Sequence, residues 1–275
     1  MRAVSVRAFR VGHCRHPQAM TIRGGRWAPV EFPALAFLIR HPDEGAILFD
    51  TGYDPAFLDA TRPFPERLYR WATPPHLAPG EALADQLAAH GIAADEVRHL
   101  ILSHFHADHM AGTHRFPNAT VHAARAGWAA MHRGSRFTAV RGGMLRALAP
   151  PGMEARMRWF EDAPAAALPD DAAPFADARD LLGDGSLLMV PLPGHCPGHW
   201  GLFVREDAGW HFLVADAAWS SAAIRTDTPP PLLTARLLGD AAAGRTTLHK
   251  LHLLHRRNPD VRLTPSHCAE CAAGL

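Results

Sequence analysis

Short apolar runs bounded by turn residues recur along the chain and predict a protein rich in β-strands. Residues 33–52 contain two such runs on either side of a Pro-Asp-Glu-Gly turn, which predicts a β-hairpin with both strands buried. Further strands are predicted at residues 97–103, 119–124, 186–195 and 261–267, and a second hairpin is predicted at 200–216.

Helical periodicity occurs between these groups of strands. Leu83 and Leu87 lie four residues apart within 81–91, a segment that Gly91 ends. Other helices are predicted to begin at residue 125 and to span residues 241–257. The pattern predicts the α/β (α+β) class, because two sheets packed face to face with helices outside would accommodate it.

Two segments lack either periodicity. Residues 62–80 are rich in proline and aromatic residues, and we expect an irregular segment beside a cleft. Residues 132–180 are either an ordinary surface segment or, as we interpret them, an insertion or lid within a single domain of residues 1–275. Near the start, GHCRHP at 12–17 is predicted to be a loop at the mouth of a site, without a metal.

Composition narrows the class of protein. The net charge is +1 over 275 residues, which gives no reason to expect a nucleic acid as partner. Arginines at 2, 7 and 10 interrupt the first apolar runs, so we expect no signal peptide, and the longest apolar run, 34–39, is too short for a membrane span. Four cysteines are too few for a disulfide framework, so we expect a soluble, cytoplasmic protein with reduced thiols.

The candidate chemistry begins in ILSHFHADHMAG, residues 101–112. His104 and His106 are two apart on an extended chain, so both can bind one ion. Asp108 and His109 follow the turn, where a helix is predicted to start, and can reach a second ion. Imidazole and carboxylate are ligands that suit Zn²⁺.

Three more polar residues follow predicted strands directly. PLPGHCPGH offers His195, FLVAD ends in Asp216, and RLTPSH ends in His267. One such residue would usually be a cap or a loop residue. Three of them together with the first cluster indicate a metal site assembled from several strand ends.

With these motifs the chain resembles the metallo-β-lactamase-fold hydrolases from about Leu35 to His267, through FDTG, SHFHADH, PGHCPGH, FLVAD and PSH. The resemblance implies an αββα four-layer sandwich and a metal-bound hydroxide that attacks an ester-like carbonyl. Asp108 would orient the hydroxide and move its proton. The implied ligands are His104, His106 and His195 for one Zn²⁺, Asp108, His109 and His267 for the other, and Asp216 as the bridge. Asp50 is interpreted as a hydrogen-bond partner of a ligand histidine or as a strand-end cap.

Within this family, the motif set is most similar to N-acyl-homoserine lactonases. True β-lactamases of the fold are exported and lack the aspartate bridge, and His106 replaces the glutamate of flavodiiron oxidoreductases. One departure concerns Trp219, which stands where many lactonases have a tyrosine. An indole can donate a hydrogen bond but cannot act as an acid. Either the substrate differs, or Tyr53, Tyr69 or a metal takes that role.

Several alternatives stay open at this point. A thioesterase similar to hydroxyacylglutathione hydrolase would use Arg256, Arg257 and Arg262, which otherwise form a solvated helix end. A non-catalytic metal-binding protein is a second alternative, and Mn, Fe or Co could replace zinc. We expect a small-molecule substrate and no membrane partner, and the sequence leaves a homodimer open.

Other residues have less specific interpretations. Cys268 and Cys271 are predicted to be plain thiols at a frayed C-terminus, and Cys196 is predicted to point away from the metals. Six aromatic residues could line an apolar acyl pocket or simply pack: Trp27, Phe64, Trp71, Phe137, Trp159 and Trp219.

Overall fold

The computed structural model describes residues 4–275 and contains two β-sheets. The first sheet is built from β1 Ser5–Pro17, β2 Pro29–His41, β3 Gly45–Phe49, β4 Pro75–His76, β5 Val97–Ile101, β6 Thr120–Ala123 and β7 Met157–Trp159. Its strand order is β4-β1-β2-β3-β5-β6-β7. Strands β3, β5, β6 and β7 pair in parallel, so their carboxyl ends lie at one edge of the sheet.

In the second sheet, strands that follow one another along the chain also lie side by side. It is built from β8 Ala165–Ala167, β9 Asp177–Asp180, β10 Leu187–Pro191, β11 Trp200–Glu206, β12 Gly209–Ala215 and β13 Arg262–Pro265. Strand β11 runs antiparallel to β10 and β12, and β13 runs parallel to β12. The carboxyl ends of β10, β12 and β13 therefore also share one edge.

Helices connect these strands. They are α1 Pro55–Ala60, α2 Arg67–Ala72, α3 Leu83–Ala89, α4 Ala107–Met110, α5 Arg125–His132, α6 Arg136–Arg141, α7 Ser221–Thr226, α8 Leu232–Leu238, α9 Ala241–Arg257 and α10 Ala269–Ala272. Among residues 4–275, no helix combines the length and the apolarity needed to cross a membrane.

Side chains of alternate strand residues fill three apolar layers. Phe37 on β2 packs between the sheets with Leu202 on β11. Its neighbour Leu38 points the other way and packs in the layer that contains Leu87 of α3. Phe212, on the outer face of the second sheet, packs in the layer that contains Leu251 of α9. Strands with two buried faces explain the continuous apolar runs in the sequence, and the layers form the αββα sandwich.

Helix α9 shows how local sequence supports this packing. The Asp240 carboxylate accepts hydrogen bonds from the backbone N–H groups of Ala242 and Ala243, at 2.9 and 3.0 Å, and so caps the helix. Leu251 and Leu254, three residues apart, are both fully buried against the second sheet.

The predicted hairpins, strands and long helices are confirmed within a few residues. Two predictions are wrong. GHCRHP is not a loop but lies in strand β1, where its backbone pairs with β2, although its predicted position at the mouth of a site is confirmed by Cys14 and His16, which line a cavity. The C-terminus is not frayed at Cys268, whose side chain is fully buried beside α10.

The two unpatterned segments contain regular structure. Residues 62–80 include helix α2, and residues 132–180 contribute β7 to the first sheet and β8 and β9 to the second. The division into a single domain with a lid at 132–180 stays a prediction; its first three residues lie outside the described part of the chain.

Candidate metal centre

The candidate ligands lie just beyond the carboxyl ends of strands in both sheets. Four of them, between His104 and His109, follow β5 of the first sheet. His195, Asp216 and His267 follow β10, β12 and β13 of the second sheet. In open α/β sheets, bound molecules commonly lie just outside the carboxyl ends of the strands. Here the two edges face each other, and the seven side chains meet in one small volume.

Three histidines form the first donor group. The Nε2 atom of His195 lies 2.9 Å from Nδ1 of His106. The His104 ring centre is 4.5 Å from that of His106 and 5.0 Å from that of His195. Burial holds the pKa of His104 and His195 well below its ordinary value, so both rings are neutral, which is the form that binds metals.

A second donor group is formed by Asp108, His109 and His267. The Oδ2 atom of Asp108 lies 3.4 Å from His267 Nε2 and 3.9 Å from His109 Nε2. All three side chains are buried. One carboxylate and two imidazoles therefore face a common point next to the first group.

Asp216 lies between the two groups. Its Oδ2 atom is 3.2 Å from Nε2 of both His195 and His267, and its Oδ1 atom is 3.3 Å from His109 Nε2. Burial opposes ionisation of this carboxyl, but the three histidines outweigh it and hold its pKa well below the ordinary value. A single carboxylate thus contacts nitrogen donors of both groups.

The pattern of unsatisfied atoms tests whether the cluster fits metal ions. His104 Nε2, His109 Nε2 and Asp216 Oδ1 are buried without a hydrogen-bond partner. Buried polar atoms without partners are costly and rare in native proteins. In each group the donor atoms lie within 4.8 Å of one another, so cations between them would satisfy these atoms. The nitrogen and carboxylate donors fit zinc and related divalent ions.

Hydrogen bonds from outside the cluster orient the donors. The Oδ2 atom of Asp50 accepts from His109 Nδ1 at 2.8 Å and from the Ser103 hydroxyl at 2.7 Å. The Oδ1 atom of Asp50 accepts from the Ser103 backbone N–H at 2.8 Å. His267 Nδ1 donates to the Pro33 carbonyl at 2.7 Å. Such bonds fix which ring nitrogen faces the metal.

Sequence reasoning missed Ser103 and His199. The Ser103 hydroxyl lies 2.9 Å from His104 Nδ1, and His199 Nε2 accepts from the Asp216 backbone N–H at 3.1 Å. For Ser103, the available signal in the sequence was its position directly before the candidate ligand His104. His199 is the second histidine of PGHCPGH, and it supports the loop that carries Asp216.

We expect Asp50→Asn to weaken zinc binding by about 10- to 100-fold, because the amide is neutral and cannot accept from all the donors around it. The measurement is competitive zinc titration with a chromophoric chelator. Asp50 has φ +60°, a conformation that asparagine tolerates.

Asp184→Asn is the matched control for this variant. Asp184 lies between β9 and β10 and pairs at 2.9 Å with His41, the last residue of β2, away from the candidate ligands. Equal zinc affinity in the wild type and the Asp50 variant would show that Asp50 only caps its strand.

A cavity of about 340 Å³ lies over the donor groups. Two of the six candidate aromatic residues, Phe137 and Trp219, contribute to its walls. The Trp219 ring centre lies 6.2 Å from that of His195 and 5.6 Å from that of His267. Leu68, Tyr69, Ala72 and Thr73 line the same cavity, which confirms that the proline- and aromatic-rich segment lies beside a cleft.

The other four aromatic residues lie elsewhere. Trp27, Phe64 and Trp71 are largely exposed, and Trp159 packs beneath the Arg125 guanidinium. Trp219 also borders a second cavity of about 80 Å³, which is lined mainly by apolar residues of the α7 to α9 region. The Trp219 side chain therefore borders both cavities.

The cysteines differ in part from their predicted positions. Cys196 does not point away, since its sulfur is within 4.8 Å of donor nitrogens of the first group. The sulfur of Cys268 lies 3.2 Å from the Ser221 hydroxyl. The four cysteines are free thiols.

Comparison with known proteins agrees with this geometry. The profile of the metallo-beta-lactamase superfamily matches residues 29–255. A probable metallo-hydrolase of Mycobacterium tuberculosis is 30% identical over 190 residues, which cover 66% of this chain and only 55% of the relative. The N-acyl homoserine lactonase AttM of Azorhizobium caulinodans is 31% identical over 204 residues, 71% of this chain and 69% of the relative.

Solved structures share the fold. An N-acyl homoserine lactone hydrolase, described with the product N-hexanoyl-L-homoserine bound at its catalytic metal center, superposes with a TM-score of 0.74 at 18% identity, over 100% of this chain and 97% of that one. The dizinc quorum-quenching lactonase AidC gives a TM-score of 0.62 at 15% identity, over 98% of this chain and 90% of that one.

Proposed function

Because this chain belongs to the metallo-β-lactamase superfamily, we propose that it is a metal-dependent hydrolase that opens N-acyl homoserine lactones. The observation that carries the proposal is the pair of buried donor groups joined by Asp216 beneath a cavity of about 340 Å³. Curated relatives named as lactonases, which this chain resembles over about 70% of either length, support the choice of substrate.

We propose two Zn²⁺ ions, with Mn, Fe or Co as substitutes, held by His104, His106 and His195, by Asp108, His109 and His267, and by Asp216 between them. Bound there, the ions would lower the pKa of a water and polarise the lactone carbonyl. The protein's own part is to hold these charges in a buried site, where water screens them weakly.

Asp108 has the central role among the side chains. Its Oδ2 atom faces His267, while its Oδ1 atom lies on the side of Tyr69, a residue that lines the cavity. Asp108 orients the attacking water and takes its proton. As the water oxygen bonds to the carbonyl carbon, the ring C–O bond breaks and the proton passes to the leaving oxygen. The product is a hydroxy acid, whose ionisation releases one proton.

The test is proton release, followed with a pH indicator, when zinc-loaded protein meets N-hexanoyl homoserine lactone. Fast release that disappears in Asp108→Ala is the expected result. No release from a protein that holds two metals, with turnover of a glutathione thioester instead, would replace the lactonase by the thioesterase. Inertness toward lactones, esters and thioesters alike would identify a non-catalytic metal-binding protein.

One structural fact bears on the thioesterase alternative. Arg262 is part of the basic patch that such an enzyme would need. Its guanidinium instead contacts the Glu206 carboxylate and lies 2.8 Å from His211 Nδ1, within the edge of the second sheet. Arg262 is therefore already paired within the protein and is less available to bind glutathione. This favours a lactone over a glutathione thioester as the substrate.

A small-molecule substrate, a cytoplasmic location and a homodimer complete the proposal. Size-exclusion chromatography with light scattering tests the dimer. Fractionation of cells that express the protein tests the location.

Gly143 connects the segment 132–180 to the proposed chemistry. Its φ is +74°, and an added Cβ would lie 2.9 Å from Cδ2 of His106. We expect Gly143→Ala to displace His106 and to lower kcat/KM for the lactone about 100-fold, because shifts near 1 Å in a catalytic site have effects of that size.

Gly152→Ala controls for backbone strain in this comparison. Gly152 has nearly the same φ, +75°, but nothing lies within 4 Å of its added Cβ. Its variant should keep the wild-type kcat/KM. If both variants lose the same activity, backbone strain and not the contact with His106 is responsible.

A further inference from the structure

Tyr69 places a hydroxyl group beside the candidate metal centre. It lies in α2, and its hydroxyl donates to Asp108 Oδ1 at 3.4 Å, while the other oxygen of this carboxylate faces His267. Tyr69 also lines the cavity above the donor groups. Tyr69 and Asp108 are thus in contact with each other and both border the space where a substrate would lie.

The surroundings of Tyr69 hold this hydroxyl in place. Its ring packs edge to face against Phe57, with ring centres 5.5 Å apart. At the start of α2, the Glu66 carboxylate accepts two hydrogen bonds, at 2.8 and 2.6 Å, from the Arg136 guanidinium of α6. A bidentate pair of this kind fixes orientation as well as distance. Helix α2 is therefore held against α6, which also lines the cavity.

A hydrogen-bond donor at this position has a specific use. When an ester bond breaks, negative charge grows on the leaving oxygen, and a fixed donor aimed at that oxygen stabilises the transition state. Thr73 is the other hydroxyl that lines the cavity, and its side chain has no hydrogen bond to a candidate ligand among the described contacts. Trp219 lines the same cavity, with its ring beside His195 and His267.

We infer that Tyr69 is a catalytic residue whose hydroxyl donates a hydrogen bond to the leaving oxygen of the substrate. This inference rests on the proposed lactone-opening function. In the free enzyme the hydroxyl donates to Asp108. In the complex it donates to the leaving oxygen, next to the carboxylate that delivers the proton.

The experiment compares Tyr69→Phe with the wild type on two substrates, N-hexanoyl homoserine lactone and the matching N-hexanoyl homocysteine thiolactone. A sulfur leaving atom is a weak hydrogen-bond acceptor, so it gains little from the hydroxyl. We expect kcat/KM to fall about 100-fold for the lactone, the size seen when one oxyanion donor is removed. For the thiolactone the fall should be less than about threefold.

Tyr53→Phe is the matched control, since Tyr53 and Tyr69 are the two tyrosines of the chain. Tyr53 is 1% exposed, packs against Phe57 with ring centres 5.2 Å apart and does not line the cavity. Its variant should match the wild type on both substrates. Metal content, measured by mass spectrometry, should be two ions per chain in every protein compared.

Each other result overturns the inference in a recognisable way. An equal fall on both substrates, or a loss of one metal ion, would mean that Tyr69 only positions Asp108. An unchanged lactone rate would mean that the hydroxyl has no part in the reaction. A wild-type protein inert to both substrates would remove the proposed function itself, and the inference with it.

Discussion

Replacing Asp216 with alanine is expected to lower the proposed lactone opening on the order of 1000-fold and to weaken the binding of both proposed metal ions. This carboxylate is 3.2–3.3 Å from nitrogen donors of three histidines that belong to two different groups. Its loss leaves these buried rings without a shared negative charge. Metal ions contribute several kcal/mol of transition-state stabilisation, which corresponds to about three powers of ten in rate. The measurements are kcat/KM and metal content of the purified protein.

Asp207→Ala is the control for this experiment. Asp207 is exposed in the turn between β11 and β12, at the opposite end of the strand that precedes Asp216. Its variant should behave as the wild type does. If Asp216→Ala retained two metals and more than about a tenth of the activity, the bridging role would be wrong, although the individual donor groups could still be correct.

Removal of the bound metal is expected to lower the midpoint of thermal unfolding by roughly 10 °C. A ligand present at 1000 times its Kd stabilises the native state by about 4 kcal/mol, and each kcal/mol shifts the midpoint of a domain near this size by about 2–4 °C. Each donor group draws its residues from both sheets, so loss of the proposed metal should affect the whole sandwich. Circular dichroism with and without a chelator, at fixed pH and protein concentration, measures the shift.

The Asp216→Ala protein is the internal reference for this shift. It binds metal weakly, so the chelator should move its midpoint by little. Adding back Zn²⁺, Mn²⁺, Fe²⁺ or Co²⁺ to the wild type ranks the ions by the stability that they restore. Identical wild-type melting curves before and after verified metal removal would show that the ions do not connect the two sheets.

Sequence reasoning reached the donor groups because each donor follows an apolar strand. A polar side chain at the end of a buried run, such as Asp216 after FLVAD, has a local signal that needs no knowledge of the fold. The αββα arrangement was implied by the family resemblance, and the pattern of strands and helices agreed with two packed sheets covered by helices. Strand β1 was not predicted at residues 12–17, because polar side chains there interrupt the apolar pattern that marks the other strands.

Contacts between distant segments had no such signal. Gly143 touches His106, and the Tyr69 hydroxyl reaches Asp108, from segments whose proline and glycine content hides their periodicity. Which side chain of such a segment enters the cavity depends on tertiary packing, here on the pair between Glu66 and Arg136. For the role that a tyrosine has in many lactonases, the sequence left Tyr53, Tyr69 or a metal as candidates. The geometry favours Tyr69.

The origin of the donors in two sheets has a practical consequence. His104, His106, Asp108 and His109 precede residue 132, whereas His195, Asp216 and His267 follow residue 180. A chain cut between these positions would yield two fragments, each with an incomplete set of donors for either ion. Reassociation of such fragments should depend on divalent metal, so the split protein could serve as a genetically encoded reporter of available zinc.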